Sequence, residues 1–295
     1  MSGEKSIQLL STPADLPSPS TEAFKIDGKL SDDGTFQAKV EDTTRGDPEV
    51  IMRAVFRQVP QPQWKDLVQR ISYALGYAGT VNDVSASIPE AISEPFHFSY
   101  SYNRKDYPDW SNRQFTVPGL PFYTPPVKDD AKYPIWLGSL AETMSDSTVR
   151  LPQGYKPQLP SNLDLKYDFA EYHASYSLDR GALVAKRRLL IKLHEVSVAK
   201  FEDYRAFVKK LQNDVNQYVQ TSSSSLGAPG IQNASPLPNS PLPGTIPSFV
   251  SSIRELPASD SSEANRLEAD ARDKMTSRDL QGATSSSISC SVSRP

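Results

Sequence analysis

A catalytic or metal centre in this chain would have to be built from very few residues: three histidines, His97, His173 and His194, and one cysteine, Cys290. A thiol nucleophile needs an imidazole beside it to take its proton and a third group to orient the ring. Cys290 stands near the C-terminus inside a Ser-rich run, with no histidine near it in the sequence. One cysteine also excludes an intramolecular disulfide and a Cys-rich zinc site. The histidines show no HExxH spacing. If the segments around His173 and His194 pair as a hairpin, His194 faces Tyr167, six residues from His173. Six strand residues span about 20 Å, too far for two imidazoles to share a metal. The sequence therefore predicts no metal site, no cofactor and no catalytic residue.

Other groups invite chemistry but have simpler readings. Lys186, Arg187, Arg188 and Lys192 could bind a phosphate or an acidic lipid. A solvent face balanced by Asp168 and Glu171 is the reading preferred here. Arg187 is the exception, because strand alternation puts it on the apolar side. It must snorkel at a sheet edge or pair with a buried carboxylate. The acid pairs Asp32-Asp33 and Asp129-Asp130 fall in turns, where nothing would hold two carboxyls at the separation glycoside hydrolysis needs. The aromatic group Tyr102, Tyr107, Trp110, Phe122 and Tyr123 is the candidate ligand-contact set, a platform for a peptide or a sugar. The alternative is a satellite core beneath the Pro-rich loops.

The elements that must position these residues are mostly strands. Phe24, Ile26 and Leu30 alternate with polar residues, as do Phe36, Ala38 and Val40 on the return. Between them, Asp32-Asp33-Gly34 predicts a hairpin with Leu30 facing Phe36 and Gly34 at a left-handed position. Residues 47–76 read as a helical insertion, with Val50, Met52, Val55 and Phe56 on one stretch. On the next, Trp64, Leu67, Val68, Ile71 and Leu75 recur at helical spacing. Further strands are expected at Thr80–Ala86, Phe96–Tyr102 and Thr143–Leu151. A second hairpin should pair Leu178 with Leu183, which sets Glu171 diagonal to Arg188 and Lys192. An amphipathic helix is expected at about 198–220, striped by Phe201, Tyr204, Val208, Leu211, Val215 and Tyr218.

These segments predict an α+β protein: an antiparallel β-sandwich-like region with a helical insertion and a long C-terminal helix, followed by a disordered tail. The expected divisions are an extended lead-in at 1–22, a β-rich half at 23–125, a second β half at 126–221 and a Ser/Pro-rich tail at 222–295. The 25 prolines among 295 residues, with a hydrophobic fraction of 37%, fit a chain of which a sizeable part joins no core. A net charge of −3 with dispersed Lys and Arg gives nucleic-acid binding no electrostatic basis. No apolar run reaches the length of a signal peptide or a membrane span. At face value this is a cytoplasmic chain, unless it is a fragment that begins downstream of its natural start.

Several segments in order resemble the C-terminal β-rich flanking region of bacterial transglutaminase-like proteins, over roughly residues 10–220. They are Lys29–Gly34, Gly46–Arg53, Gln63–Leu67, Glu94–Tyr100, Leu151–Tyr155 and Tyr172–Tyr176, leading to Arg187–Leu189 and Tyr204–Phe207. The resemblance implies exported, extracytoplasmic relatives in which a papain-like core with a Cys/His/Asp set precedes this region. This chain has no cysteine before position 290, so none of that set carries over. The expected role is a non-catalytic accessory or interaction domain, partnered by a catalytic transglutaminase-like domain or chain. The alternative is an independent surface-binding module that uses the aromatic loops at 102–123.

Overall fold

The computed structural model describes residues 18–128 and 130–223, which all belong to the first of two units, Met1–Ser240 and Pro241–Pro295. The strands in chain order are β1 (Ser20–Leu30), β2 (Phe36–Arg45), β3 (Thr80–Ala86), β4 (Phe96–Arg104), β5 (Gln114–Thr116), β6 (Ile135–Trp136), β7 (Ala141–Arg150), β8 (Tyr155–Pro157), β9 (Leu163–Lys166), β10 (Ala170–Asp179), β11 (Ala182–Ile191), β12 (Glu195–Val196) and β13 (Tyr218–Ser223). The helices are α1 (Asp47–Gln58), α2 (Trp64–Ala74) and α3 (Phe201–Val215).

Eight strands form one sheet in the order β3-β4-β2-β1-β7-β11-β10-β9. Every pairing is antiparallel except β1 with β7, which run parallel from Ser20↔Ala141 to Lys29↔Arg150. This seam corrects the expected sandwich. The two β-rich stretches are not stacked face to face but continue each other edge to edge in a mixed sheet. Two small sheets, β5-β13-β8 and β12-β6, lie beside it.

Both hairpins have the expected register. Leu30 stands opposite Phe36 and Leu178 opposite Leu183. In the first, Ser31 and Thr35 close a three-residue loop with Gly34 at φ 83, a conformation glycine adopts without Cβ strain. Alternation then sends one side of every strand inward. Phe24, Ile26, Val40, Phe98, Tyr100, Leu183 and Tyr172 are all buried. The opposite face carries Lys25, Lys39, Glu41, Glu142, His173 and Lys186, exposed or half-buried, so the sheet has one core face and one polar face.

The inner face is roofed by α1 and α2 on one side and by α3 on the other. Ser20, at the start of β1, accepts a hydrogen bond from Asp47 N and so caps α1. In α1, Met52, Val55 and Phe56 are buried as the spacing predicts, but Val50 is exposed. Glu49 and Arg53 take the inward positions instead, as an ion pair at 2.8 Å. Arg53 also donates to the carbonyls of Ile88, Pro89 and Glu94, which ties the 87–95 loop to the helix.

The expected 198–220 helix is shorter. α3 buries Phe201, Tyr204, Phe207, Leu211 and Asp214 and is capped by Asn216. Val219 is fully buried, but in β13, between β5 and β8. The tail expected to be disordered lies outside the described residues from 224 onward. No helix among the described residues is long and apolar enough to cross a membrane.

Candidate functional site

The three histidines are separated by the fold. His97 lies 3.0 Å from Thr43 Oγ1. His173 faces Asp164 at 3.1 Å. His194 does not reach Tyr167, because β11 ends at Ile191 and the chain turns toward β6. There its Nδ1 meets Gly138 O at 2.8 Å and its ring stacks on Trp136, at 5.4 Å and 9°. Among the described residues no group of three or more His, Cys, Asp or Glu could hold a metal ion. Cys290 lies outside the described residues.

Two of the four basic residues are neutralised on the open face. Arg188 pairs with Glu142, and Lys192 with Glu171 at 3.0 Å. Glu171 thus serves as expected, whereas Asp168 faces Lys200 at 3.4 Å. A shallow cleft of about 530 Å³ on this face is lined by Met144, Asp146, Asp164, His173, Lys186, Arg187 and Arg188, among others. Asp33 is occupied in its turn, accepting Thr35 N at 2.9 Å, and that bond holds its carboxyl below the usual range. Asp130 is exposed, and Asp129 lies outside the described residues.

The candidate aromatic set divides. Tyr102 and Trp110 are buried. Tyr102 packs against Phe36 and Tyr77, and Trp110 against Phe115 and Tyr155 while donating its indole N–H to Asp32 O. Tyr107 is half-buried against Phe36, at 4.8 Å. Phe122 is half-buried, edge-on to Tyr172. Tyr123 alone is open, at 63% exposure. The five do not form one continuous platform.

Two buried polar clusters carry the unusual electrostatics. The first is built on β11, β10 and α3. Arg187 points inward, 3% exposed, and its Nε lies 3.4 Å from Asp214 Oδ2, so the buried-carboxylate reading is the one observed. Tyr172 and Tyr176 donate their hydroxyls to Asp214 at 2.7 and 2.8 Å, and Arg187 Nε donates to Tyr176 at 3.2 Å. Gln217 adds a further donor to Asp214. Burial pushes Tyr176 up to about 12, with Arg187 opposing the rise and Asp214 adding to it. Burial works against the Arg187 charge, yet Tyr176, Tyr172 and Asp214 keep its pKa above the ordinary value.

Over this cluster lies the segment 117–120. Leu120 N donates to Ser145 Oγ, Ser147 donates to Pro118 O, and Arg187 reaches Val117 O. A Cβ on Gly119 would stand 2.8 Å from Ser145 Oγ and 3.1 Å from Arg187 Nη1, so only glycine fits there without displacement.

The second cluster is under α1 and α2. Glu22 on β1 and Asp42 on β2 both face inward. Burial raises Glu22 from 4.5 to about 7. Asp42, 1% exposed, is raised well above its ordinary value by burial and then by Glu22. Neither acid was flagged from the sequence, although the alternation Glu22-Phe24-Ile26 and Ala38-Val40-Asp42 already sets both on the apolar side. Asp214 was legible in the same way. The spacing 204, 207, 211 and 214 puts it on the buried stripe of α3.

Residues 114–220 match the model of DUF3858, described as a domain of unknown function with a solved structure. The match contains the whole Arg187–Asp214 cluster and excludes Glu22 and Asp42. No curated protein matches the chain. The match is to a domain of unknown function alone and does not reach the transglutaminase-like enzymes suggested by the resemblance.

Proposed function

We propose that the chain is a non-catalytic accessory domain derived from a transglutaminase-like protein, with no reaction of its own. It acts by holding a catalytic transglutaminase-like domain or chain against the polar face of its sheet. The observation that carries this reading is the Arg187–Asp214 cluster. The most perturbed group of side chains in the matched region is buried, with Tyr172, Tyr176, Arg187 and Asp214 all inside the fold, and only Arg187 also borders the shallow cleft on the polar face. Its hydrogen bonds join α3, β10, β11 and the 117–120 segment to one another. Perturbed titratable groups mark catalysis when they border a cavity a substrate can enter, and mark fold specification when they are closed. The polar face carries the ion pairs Arg188–Glu142 and Lys192–Glu171, and charges of both signs on one face can steer a partner and fix its register. The test is to titrate purified chain into a papain-like catalytic domain of this family by calorimetry. Saturable binding that Lys186→Glu with Asp146→Lys weakens is expected. No heat at any concentration counts against the reading.

A second reading is favoured by one observation. Trp136 is 64% exposed, stacked on His194 and close in sequence to exposed Tyr133. An open indole of this kind suits an independent module for a peptide or a sugar ring. Binding of a glycan or peptide that is lost in Trp136→Ala, with folding intact, would favour it over the accessory role.

A further inference from the structure

The strand register puts two carboxylates beside each other inside the fold. Glu22 stands opposite Thr44, and Asp42 opposite Phe24, so the acids are diagonal neighbours on the inner face, with Cβ atoms about 7 Å apart or less. Asp42 Oδ1 has no hydrogen-bond partner among the described residues. Tyr100, diagonal to Asp42 on β4, is 1% exposed; its hydroxyl lies near Ser72 of α2 but makes no well-formed hydrogen bond among the described residues. The paired strands thus hold a half-buried acid, Glu22, beside a buried acid and a buried phenol, and one oxygen of each of the latter two has no hydrogen-bond partner among the described residues.

Among the described residues, the groups facing the pair supply no compensating cation. From α2 comes Ser72, which donates to Tyr77 O. Tyr77 stacks on Phe24 and donates its hydroxyl to Gly119 O. From α1 comes the Glu49–Arg53 pair, with Arg53 taken up by Glu49 and three loop carbonyls. From β7 comes Thr143, opposite Glu22. Arg187 lies three strands from Asp42 in the sheet order, about 14 Å at ordinary strand spacing, and is engaged with Asp214. The lysines of β1 and β2 point to the other face. Two buried like charges cannot both be ionised without such a partner. A hard divalent cation would need about six to eight oxygens, more than this cluster offers. A proton is the neutralising species that fits.

We propose that Glu22 and Asp42 share a proton inside the fold and act as a pH-operated catch between the β1–β2 hairpin and the α1–α2 layer. With the proton in place, the seam between hairpin and helices is closed. When the pair takes its second charge, the acids draw in water through the partly open Glu22 side and the seam loosens. Tyr100 and the free Asp42 oxygen are the groups that water would reach first. The rise in the Glu22 pKa is consistent with this and puts the change near neutral pH.

Amide hydrogen exchange over residues 18–45 and 64–77, corrected for intrinsic rates, tests the catch across pH 6 to 8. Protection in the unmodified chain should fall about tenfold over that interval, and in Glu22→Gln it should be nearly flat. Equal protection at both pH values in the unmodified chain overturns the proposal, as does the same fall in Glu22→Gln. If Glu22→Gln does not fold, infrared titration of the unmodified chain decides. A protonated-carboxyl band persisting above pH 6 is expected, and its absence overturns the catch. A rise in melting temperature on adding calcium alone at pH 8 would overturn the shared proton in favour of a cation site.

Discussion

Arg187, in the middle of β11, places its guanidinium Nε 3.4 Å from Oδ2 of Asp214, one residue from the end of α3, and both side chains are almost fully buried. This pair joins α3 to the sheet. Removing one partner leaves the other charge buried and uncompensated, at a cost of about 3–5 kcal/mol, whereas replacing both with apolar residues is often neutral. Asp214→Ala should therefore destabilise the chain severely in urea unfolding. Arg187→Met combined with Asp214→Leu should recover most of the loss. A double variant as unstable as the sum of the singles would show that the two residues are not coupled.

Gly119 lies so close to Ser145 and Arg187 that one methyl group must displace the 117–120 segment. Gly119→Ala should cost about 1–3 kcal/mol, the usual range for overpacking, seen as a lower melting temperature. Gly138, whose added Cβ meets nothing within 4 Å but whose φ is 101, is not a neutral control. Lys156→Ala, at an exposed position, should stay within about 0.5 kcal/mol.

The aromatic set separates by burial. Trp110→Ala removes a buried ring and its hydrogen bond to Asp32 O and should cost about 3–5 kcal/mol. Tyr123→Ala, at an open position, should change stability by less than about 0.5 kcal/mol. Thermal unfolding of the two variants side by side checks both values.

Glu22 sets a pH dependence of stability with a definite sign. Its folded pKa, about 7, lies above the ordinary 4.5, so the folded chain holds the proton more tightly than the unfolded chain. The resulting stabilisation is complete below about pH 4.5 and is lost as pH rises through 7, up to about 3 kcal/mol. Asp42, shifted in the same direction, adds to the loss. Urea midpoints at pH 5 and pH 8 should therefore differ, and the difference should shrink in Glu22→Gln.

The local features of this fold are legible because short-range physics sets them. Alternation plus Asp32-Asp33-Gly34 is enough to register Leu30 against Phe36, and the same logic registers Leu178 against Leu183. The parallel seam between β1 and β7 has no such signal. Alternation says which face of a strand is buried, not which distant strand lies beside it, so a single mixed sheet was read as a sandwich. The end of α3 failed for a related reason. Tyr218 and Val219 fit a helical stripe, but β5 and β8 offer backbone partners that hold them as a strand. The buried acids are visible at inward positions, and what alternation cannot say is that no cation among the described residues meets Glu22 and Asp42 there.

The most direct test of the non-catalytic reading is amide turnover by the purified chain, assayed with glutamine-containing peptides and an amine acceptor. It should be run alone and with a papain-like catalytic domain of the transglutaminase-like family. The expected result is no turnover by the chain alone, in the unmodified form and in Cys290→Ser alike, and a changed rate when the catalytic domain is present. Turnover by the chain alone, abolished in a folded Cys290→Ser or Asp42→Asn variant, would contradict it.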